Sequence, residues 1–402
     1  MRATTVLRKL VGVISLFALG MDWARGLVIE VRPTARRSRC GLCGLKAPRY
    51  DRCRARRWRH HALGGARVWL QYAPWRVRCP ECGVRTEKVS WARHKSGFTR
   101  SFEENVAYLA QTTDKSTVQR VMGINWRTVG AIIERVVGDR LDAERFDDLR
   151  TIGVDEFSYR KRHRYLTVVT DHERRRVVWA SEGRSSETFG KFFHELGTDR
   201  CARIETVTLD MAAGFIKALQ EHVPRAEIVF DRFHVQRLVT DAVDEVRRAE
   251  VRRAGDEAQF IKGSRFALLK NPWNLTRRER TTLATVQRTN RRLYRAYLLK
   301  ESLARALDYR QPGRAWRALN EWLVWALRSR LKPMVKAAKT IKKYREGILA
   351  YVRTRLTNGL VEGFNNRLRT IARRAFGFHS PEALISMLFL CCGGVELKPS
   401  LP

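Results

Sequence analysis

Acidic residues are scarce in this chain. Its 402 residues include 41 Asp and Glu against 79 Lys and Arg, a formal net charge of +38. Few partners suit such a surface. A polyanion does, because neutralising its phosphates releases counterions. Long apolar runs are also missing. The stretch from Leu10 to Leu19, preceded by Arg2, Arg8 and Lys9, is too short for a membrane span of about 20 residues, and no small-x-small cleavage site follows it convincingly. We read it as a first strand, followed by another at Leu27–Val31, in a cytoplasmic protein without membrane association. Apolar residues themselves are not lacking: 44% hydrophobic and 9% aromatic content excludes wholesale disorder. The length allows two or three domains of about 100–200 residues each.

The basic excess is spread along the chain. It recurs at Arg52–Arg59, Arg160–Arg164, Arg247–Arg253, Arg288–Arg292, Lys336–Arg345 and Arg367–Arg374. One such cluster is ordinarily a solvated helix face. Six under this net charge suggest several elements facing one long polyanion.

The eight cysteines are unevenly placed. Cys40 and Cys43 form one C-x2-C knuckle in CGLCG, and Cys79 and Cys82 form another in CPECG. Gly41, Gly44, Pro80 and Gly83 supply the turns that let paired thiolates reach one tetrahedral ion, so structural Zn2+ in a zinc ribbon is expected. Cys53, His60 and His61 are read as bystanders, and Cys201, Cys391 and Cys392 as buried thiols. Helical spacing follows from Phe102 to Arg140, broken at Gly123. Asn125 can cap the second helix, and Asn125, Arg127 and Thr128 occupy the start of a recognition helix in a helix-turn-helix. A plain helical hairpin has the same pattern.

From Leu149 the period changes. Strands are expected at Thr151–Phe157, Tyr165–Asp171, Arg176–Glu182, Thr206–Asp210 and Glu227–Asp231, with a turn at Arg160–His163. Helices are expected at Glu187–Leu196, Ala213–His222 and from His234. This β-β-β-α-β-α-β-α order is that of the ribonuclease H-like fold, whose first and fourth strands are neighbours. Asp155 and Asp210 would then lie side by side, with Glu362 brought in by a later helix. Three such carboxylates suit two Mg2+ or Mn2+ ions, which activate water or a 3′-hydroxyl and stabilise the leaving oxygen. Asp231 competes for the second position. With His234 it forms an i, i+3 pair that is either a helix cap or a supporting pair beside the site.

Taken in order, the paired knuckles, VDEFSYRKRHRYLTVVTD, VTLDMAAGF, FDRFHVQRLV, FALLKNPWNLT and LTNGLVEGFNNRLRTIARRAFGF resemble the ISL-three family of insertion-sequence transposases over most of the chain. The resemblance implies a DDE transposase with a ribonuclease H-like core, cutting and joining its element's ends. It carries catalytic roles onto Asp155, Asp210 and Glu362, and a supporting role onto Asp231 and His234.

The interval before Glu362 reads as helices at Val235–Phe260, Arg277–Leu307, Arg314–Leu331 and Val335–Thr354, broken at Pro272, Pro312 and Pro333. Trp273, in a loop there, either stacks on an unpaired base or packs simply. Glu362 opens a helix whose Leu360, Phe364, Leu368 and Ile371 bury one face, leaving Asn365, Asn366 and Arg369 on the polar remainder. Arg367, Arg369, Arg373 and Arg374 are expected on flanking phosphates.

The organisation expected is therefore a multidomain α/β protein. Residues 1–95 form the strands and zinc ribbon, 96–148 the helix-turn-helix, 149–240 and 355–392 the catalytic core, and 241–354 a helical insertion. Its partners would be double-stranded DNA, as terminal inverted repeats and target, and a second copy of the chain. A catalytically silent DNA-binding regulator is the alternative, which the intact acidic trio opposes. A zinc-ribbon RNA-binding protein would leave the acids unexplained.

Overall fold

Alternating burial builds the first sheet. Strands β1 (Leu16–Trp23), β2 (Leu27–Pro33), β4 (Arg56–Leu63) and β5 (Ala66–Tyr72) run in the order β1-β2-β5-β4, with β2 and β5 parallel. Ile29, Val31, Trp58, Val68 and Leu70 point into one core, where Trp91 meets Trp58 edge-on at 5.8 Å. A second sheet of β3 (Arg49–Arg52), β6 (Trp75–Cys79) and β7 (Gly83–Thr86), ordered β3-β6-β7, carries the second knuckle at its β6–β7 turn. The computed structural model describes residues 16–23, 26–160, 164–255, 258–357, 359–374 and 380–399. Arg2, Arg8, Lys9, much of the Leu10–Leu19 run, most of the turn at Arg160–His163 and the Arg374 side chain lie outside the described residues.

Three helices follow: α1 (Arg100–Thr112), α2 (Lys115–Met122) and α3 (Trp126–Arg140). Asp114 caps α2, and Asn125 caps α3 by accepting from the Arg127 amide at 2.9 Å. Gly123, at φ 57°, makes the left-handed turn between them, which a side chain would strain. Arg59 of β4 donates to the carbonyls of Met122 and Gly123 at 2.8 and 2.6 Å, closing the end of α2. Arg93 and Arg135 flank Glu103, which is wholly buried. Strands and helices thus share polar cross-links within one compact unit, Met1–Asp142 with Ile371–Pro402.

The other unit is Ala143–Thr370. Its sheet comprises β8 (Thr151–Arg160), β9 (Arg164–Asp171), β10 (Arg176–Glu182), β11 (Thr206–Leu209) and β12 (Glu227–Phe230), ordered β10-β9-β8-β11-β12. β8 to β10 form an antiparallel meander; β11 pairs parallel to both β8 and β12. Helices α4 (Ser186–Leu196), α5 (Thr198–Cys201), α6 (Ala213–His222) and α7 (Arg232–Arg253) alternate with the later strands. Phe189, Phe192, Phe193 and Phe215 pack in the same core as Ile152, Val207 and Leu209 of the sheet.

A helical stretch continues that core: α8 (Ala258–Gly263), α9 (Arg265–Leu269), a 3-10 turn at Pro272–Asn274, α10 (Arg277–Thr289), α11 (Arg291–Asp308), α12 (Pro312–Arg328), α13 (Lys332–Lys343) and α14 (Arg345–Thr354). Pro312 and Pro333 start helices here, where their missing N–H costs nothing. Three segments expected as single helices are broken, the first where Ala254 ends α7 in extended backbone. Asn290 ends α10 and caps α11, and Tyr344 separates α13 from α14 while its ring meets Phe230 at 5.2 Å. Helix α15 (Gly359–Arg374) follows. The last helix, α16 (Pro381–Cys392), was expected in the core but packs with α1 and α3 instead: Gln111 Nε2 donates to the Leu390 carbonyl at 2.7 Å.

Candidate active site and nucleic-acid interface

Parallel pairing of β8 with β11 sets Thr151, Ile152 and Gly153 opposite Thr206, Val207 and Thr208. Continuing each strand brings Asp155 and Asp210 to one end of the sheet, where both line a pocket of about 310 Å³ with Glu156, Ser158, Tyr165, His234, Arg237 and Arg369. A larger cavity of about 800 Å³, bounded by Ile216, Phe230 and Trp316, contains none of these acids. Volume does not locate the chemistry here; charge does.

Asp155 is held at both oxygens. Oδ1 accepts from the Glu156 amide at 2.7 Å, and Oδ2 from Asn365 Nδ2 at 2.5 Å. Burial, followed by the charge of Asp210, pushes its carboxyl up to about 6. His234 Nε2 lies 2.7 Å from the buried Asp210 Oδ1, an ion pair when the imidazole is protonated. Burial lowers the His234 pKa, yet the Asp210 contact and the nearby carboxylates outweigh it and raise the imidazole above its ordinary value. Asn365 Oδ1 is buried without a partner. This unpartnered amide oxygen, beside two carboxylates at one end of the sheet, fits an oxygen-ligated divalent cation.

Asp231 caps α7, accepting from the Phe233 amide at 2.9 Å, and its charge is among those that raise the His234 pKa, whose Nε2 lies beside Asp210. Glu362 is exposed on the first turn of α15 and is not among the residues lining the pocket. The sequence pattern placed Asn365 on the polar face, whereas the structure buries it against Asp155. Only a long-range contact distinguishes it from the adjacent Asn366. Arg237 was also missed; nothing in its basic surroundings separates a pocket residue from a solvated one.

The cysteines gather as expected. Sulfur atoms of Cys40, Cys43, Cys79 and Cys82 lie within 4.8 Å of one another, the one such group of His, Cys, Asp or Glu ligands among the described residues. Gly41 permits the approach of the knuckles: a Cβ there would sit 2.5 Å from the Thr86 carbonyl oxygen. A hydrogen bond with Cys43, followed by burial, pushes the Cys82 thiol up to about 12. An all-thiol tetrahedron is a fit for zinc. His60 and His61 are engaged with Thr99 and Ser101 at 2.9 and 2.8 Å. Cys53 lies outside the group.

Residues expected on DNA lie at surfaces. Asn125, Arg127, Asn366, Arg367, Arg369 and Arg373 are exposed and Thr128 is half-buried. Trp273 is 71% exposed. Among the described residues, no helix is long and apolar enough to cross a membrane.

A family model described as "Transposase" matches residues 152–388, and one described as "Helix-turn-helix domain of transposase family ISL3" matches residues 87–137. Two relatives from Mycobacterium tuberculosis strains CDC 1551 / Oshkosh and ATCC 25618 / H37Rv, each named transposase for insertion sequence element IS1557, are 41% identical over 411 residues, covering 95% of this chain and 91% of the relative. The transposase for insertion sequence element IS1001 of Bordetella parapertussis is 32% identical over 366 residues, 90% of each chain. These matches define the class: a DDE transposase, an enzyme of DNA strand cleavage and transfer. Within that class the chain belongs to the ISL3 family.

Proposed function

We propose that this transposase binds the terminal inverted repeats of its own insertion sequence through the cysteine module and paired helices, and cuts and joins strands at the Asp155–Asp210 pocket. The sheet order β10-β9-β8-β11-β12 supports a ribonuclease H-like core, with the helices from α8 to α14 as its insertion. The observation that carries the reading is the two aspartates at one end of adjacent parallel strands, beside a buried Asn365 oxygen that lacks a partner.

Asp155, Asp210 and Glu362 would hold Mg2+ or Mn2+, and Cys40, Cys43, Cys79 and Cys82 would hold Zn2+. When bound, the divalent ions supply activation of water or a 3′-hydroxyl and stabilisation of the leaving oxygen. The protein supplies position. His234 orients Asp210, Asp231 fixes the start of the helix bearing His234, and Arg369 and Arg237 offer cations to the scissile phosphate. Asn125, Arg127 and Thr128 read base edges, whereas Asn366, Arg367 and Arg373 hold flanking backbone. Trp273, largely exposed, stacks on an unpaired base. Both ends must meet, so the active form is a dimer or larger assembly in the cytoplasm.

The test uses purified protein with the repeats flanking its gene. Asp155→Ala, Asp210→Ala and Glu362→Ala should each retain end binding and lose cleavage by at least about 1,000-fold. Normal cleavage by Asp210→Ala would reject its assignment, and loss in Asp231→Asn with a competent Asp210→Ala would transfer the role. Wild-type protein that binds but never cuts in Mg2+ or Mn2+ would favour the silent regulator.

A further inference from the structure

Asn365 is 3% exposed, while Glu362, Asn366, Arg367 and Arg369 around it are exposed. Its Nδ2 reaches Asp155 Oδ2 at 2.5 Å across 210 positions of sequence. This is a charge-assisted bond to an acid already fixed at its other oxygen by the Glu156 amide. Burying an amide is unfavourable unless its groups are used. Here the donor is used and Oδ1 is not. Such a side chain is a poor choice for packing alone.

Helix geometry gives the bond a consequence. Asn365, Leu368 and Ile371 are buried at successive three-residue steps of α15. Glu362 is the preceding step, where the same side of the helix comes out to solvent. Three residues rise about 4.5 Å, so the Asn365–Asp155 bond anchors the helix within one turn of Glu362. A slip of α15 by one residue would carry both side chains around the helix by about 100°.

We propose that Asn365 is a positioning residue: its amide orients Asp155 and locks the register of α15, which fixes how that helix presents Glu362 one turn before it. This rests on the reading of the three acids as the catalytic set. The role is distinct from theirs, since Asn365 acts through Asp155 and Glu362 and its removal leaves all three carboxylates present.

The experiment compares Asn365→Leu, branched alike but bulkier and without the amide, with wild type and Asp155→Ala. End binding, single-turnover cleavage, and the Mg2+ concentration for half-maximal cleavage are measured. Asn365→Leu should bind ends within about twofold of wild type, cleave about 10–100-fold more slowly, and need about tenfold more Mg2+, as expected for losing a bond to a charged group. Asn365→Asp, which keeps size but loses the donor when ionised, should also be slowed. If Asn365→Leu does not fold, Asn365→Ala gives the same readouts. A folded Leu or Ala variant with wild-type rate and metal requirement overturns the proposal. A slow variant with unchanged metal requirement also overturns it, in favour of mere packing. Asp155→Ala separates the two levels: if it is inactive while Asn365→Leu is normal, only the role of Asn365 fails. If Asp155→Ala cleaves normally, the reading of the acids fails first.

Discussion

The cysteine cluster and the acidic pocket are both ligand sets drawn from distant positions, but they are assembled by different means. Cys40 pairs with Cys43 and Cys79 with Cys82 through short turns, so each half of the site is built locally and one contact between knuckles completes it. Asp155 and Asp210 have no local partner of that kind. They meet only because β8 and β11 pair in parallel, and the tie to α15 depends on one amide. The first site is assembled largely from local turns; the second depends on strand pairing.

Breaking the thiol set should therefore have the largest effect. Structural zinc contributes on the order of 10 kcal/mol to small modules, so Cys79→Ser should abolish metal retention and weaken end binding at least about 100-fold. Elemental analysis and gel shifts measure the two; a metal-free variant with normal binding would remove the proposed link. The next effect lies in the same unit. Glu103 is fully buried between Arg93 and Arg135, and Glu103→Ala should cost about 3–5 kcal/mol in denaturant unfolding. A loss below about 1 kcal/mol would mean that the arginines find other partners.

The acidic pocket should respond to pH instead. Burial and Asp210 raise the Asp155 carboxyl to about 6 in the folded chain. The folded state then keeps a proton that the unfolded state releases near pH 4, so stability falls as pH rises from about 4 to 6 and the deficit persists above. Asp155→Asn should stabilise the metal-free protein by about 1–3 kcal/mol at pH 8 and hardly at pH 4. Equal stabilisation at both pH values would assign the effect to something other than charge. The smallest stability effect is expected at Trp273, whose exposure should keep Trp273→Ala within about 0.5 kcal/mol of wild type. Any defect there should appear in DNA cleavage, and a large loss of stability would favour the packing alternative.

Much of the fold was legible locally. The strand expected at Arg176–Glu182 and the helix at Ala213–His222 have the observed bounds, because turn formers flank strong periodic patterns. The break at Asn290 was missed: the segment Arg277–Leu307 reads as one helix, although Asn290 caps α11 through the Leu293 amide. Tyr344 carries no breaker signal; its contact with Phe230 belongs to the folded unit. The basic clusters misled in part. Arg59 closes a helix end and Arg247 pairs with Asp244 at 2.7 Å, uses that composition does not distinguish from binding a phosphate.

By itself, the sequence determined the cysteine pairs, the capped helices around Gly123, the strand meander and the family. Each rests on residues close together or on motifs read as strings. Tertiary structure alone decided that His234 turns to Asp210, that α16 joins the first unit, and that Asn365 rather than Asn366 meets Asp155. The physical reason is reach. Local signals act through backbone geometry over a few residues, while these three outcomes depend on strand register and helix rotation between segments far apart in the chain.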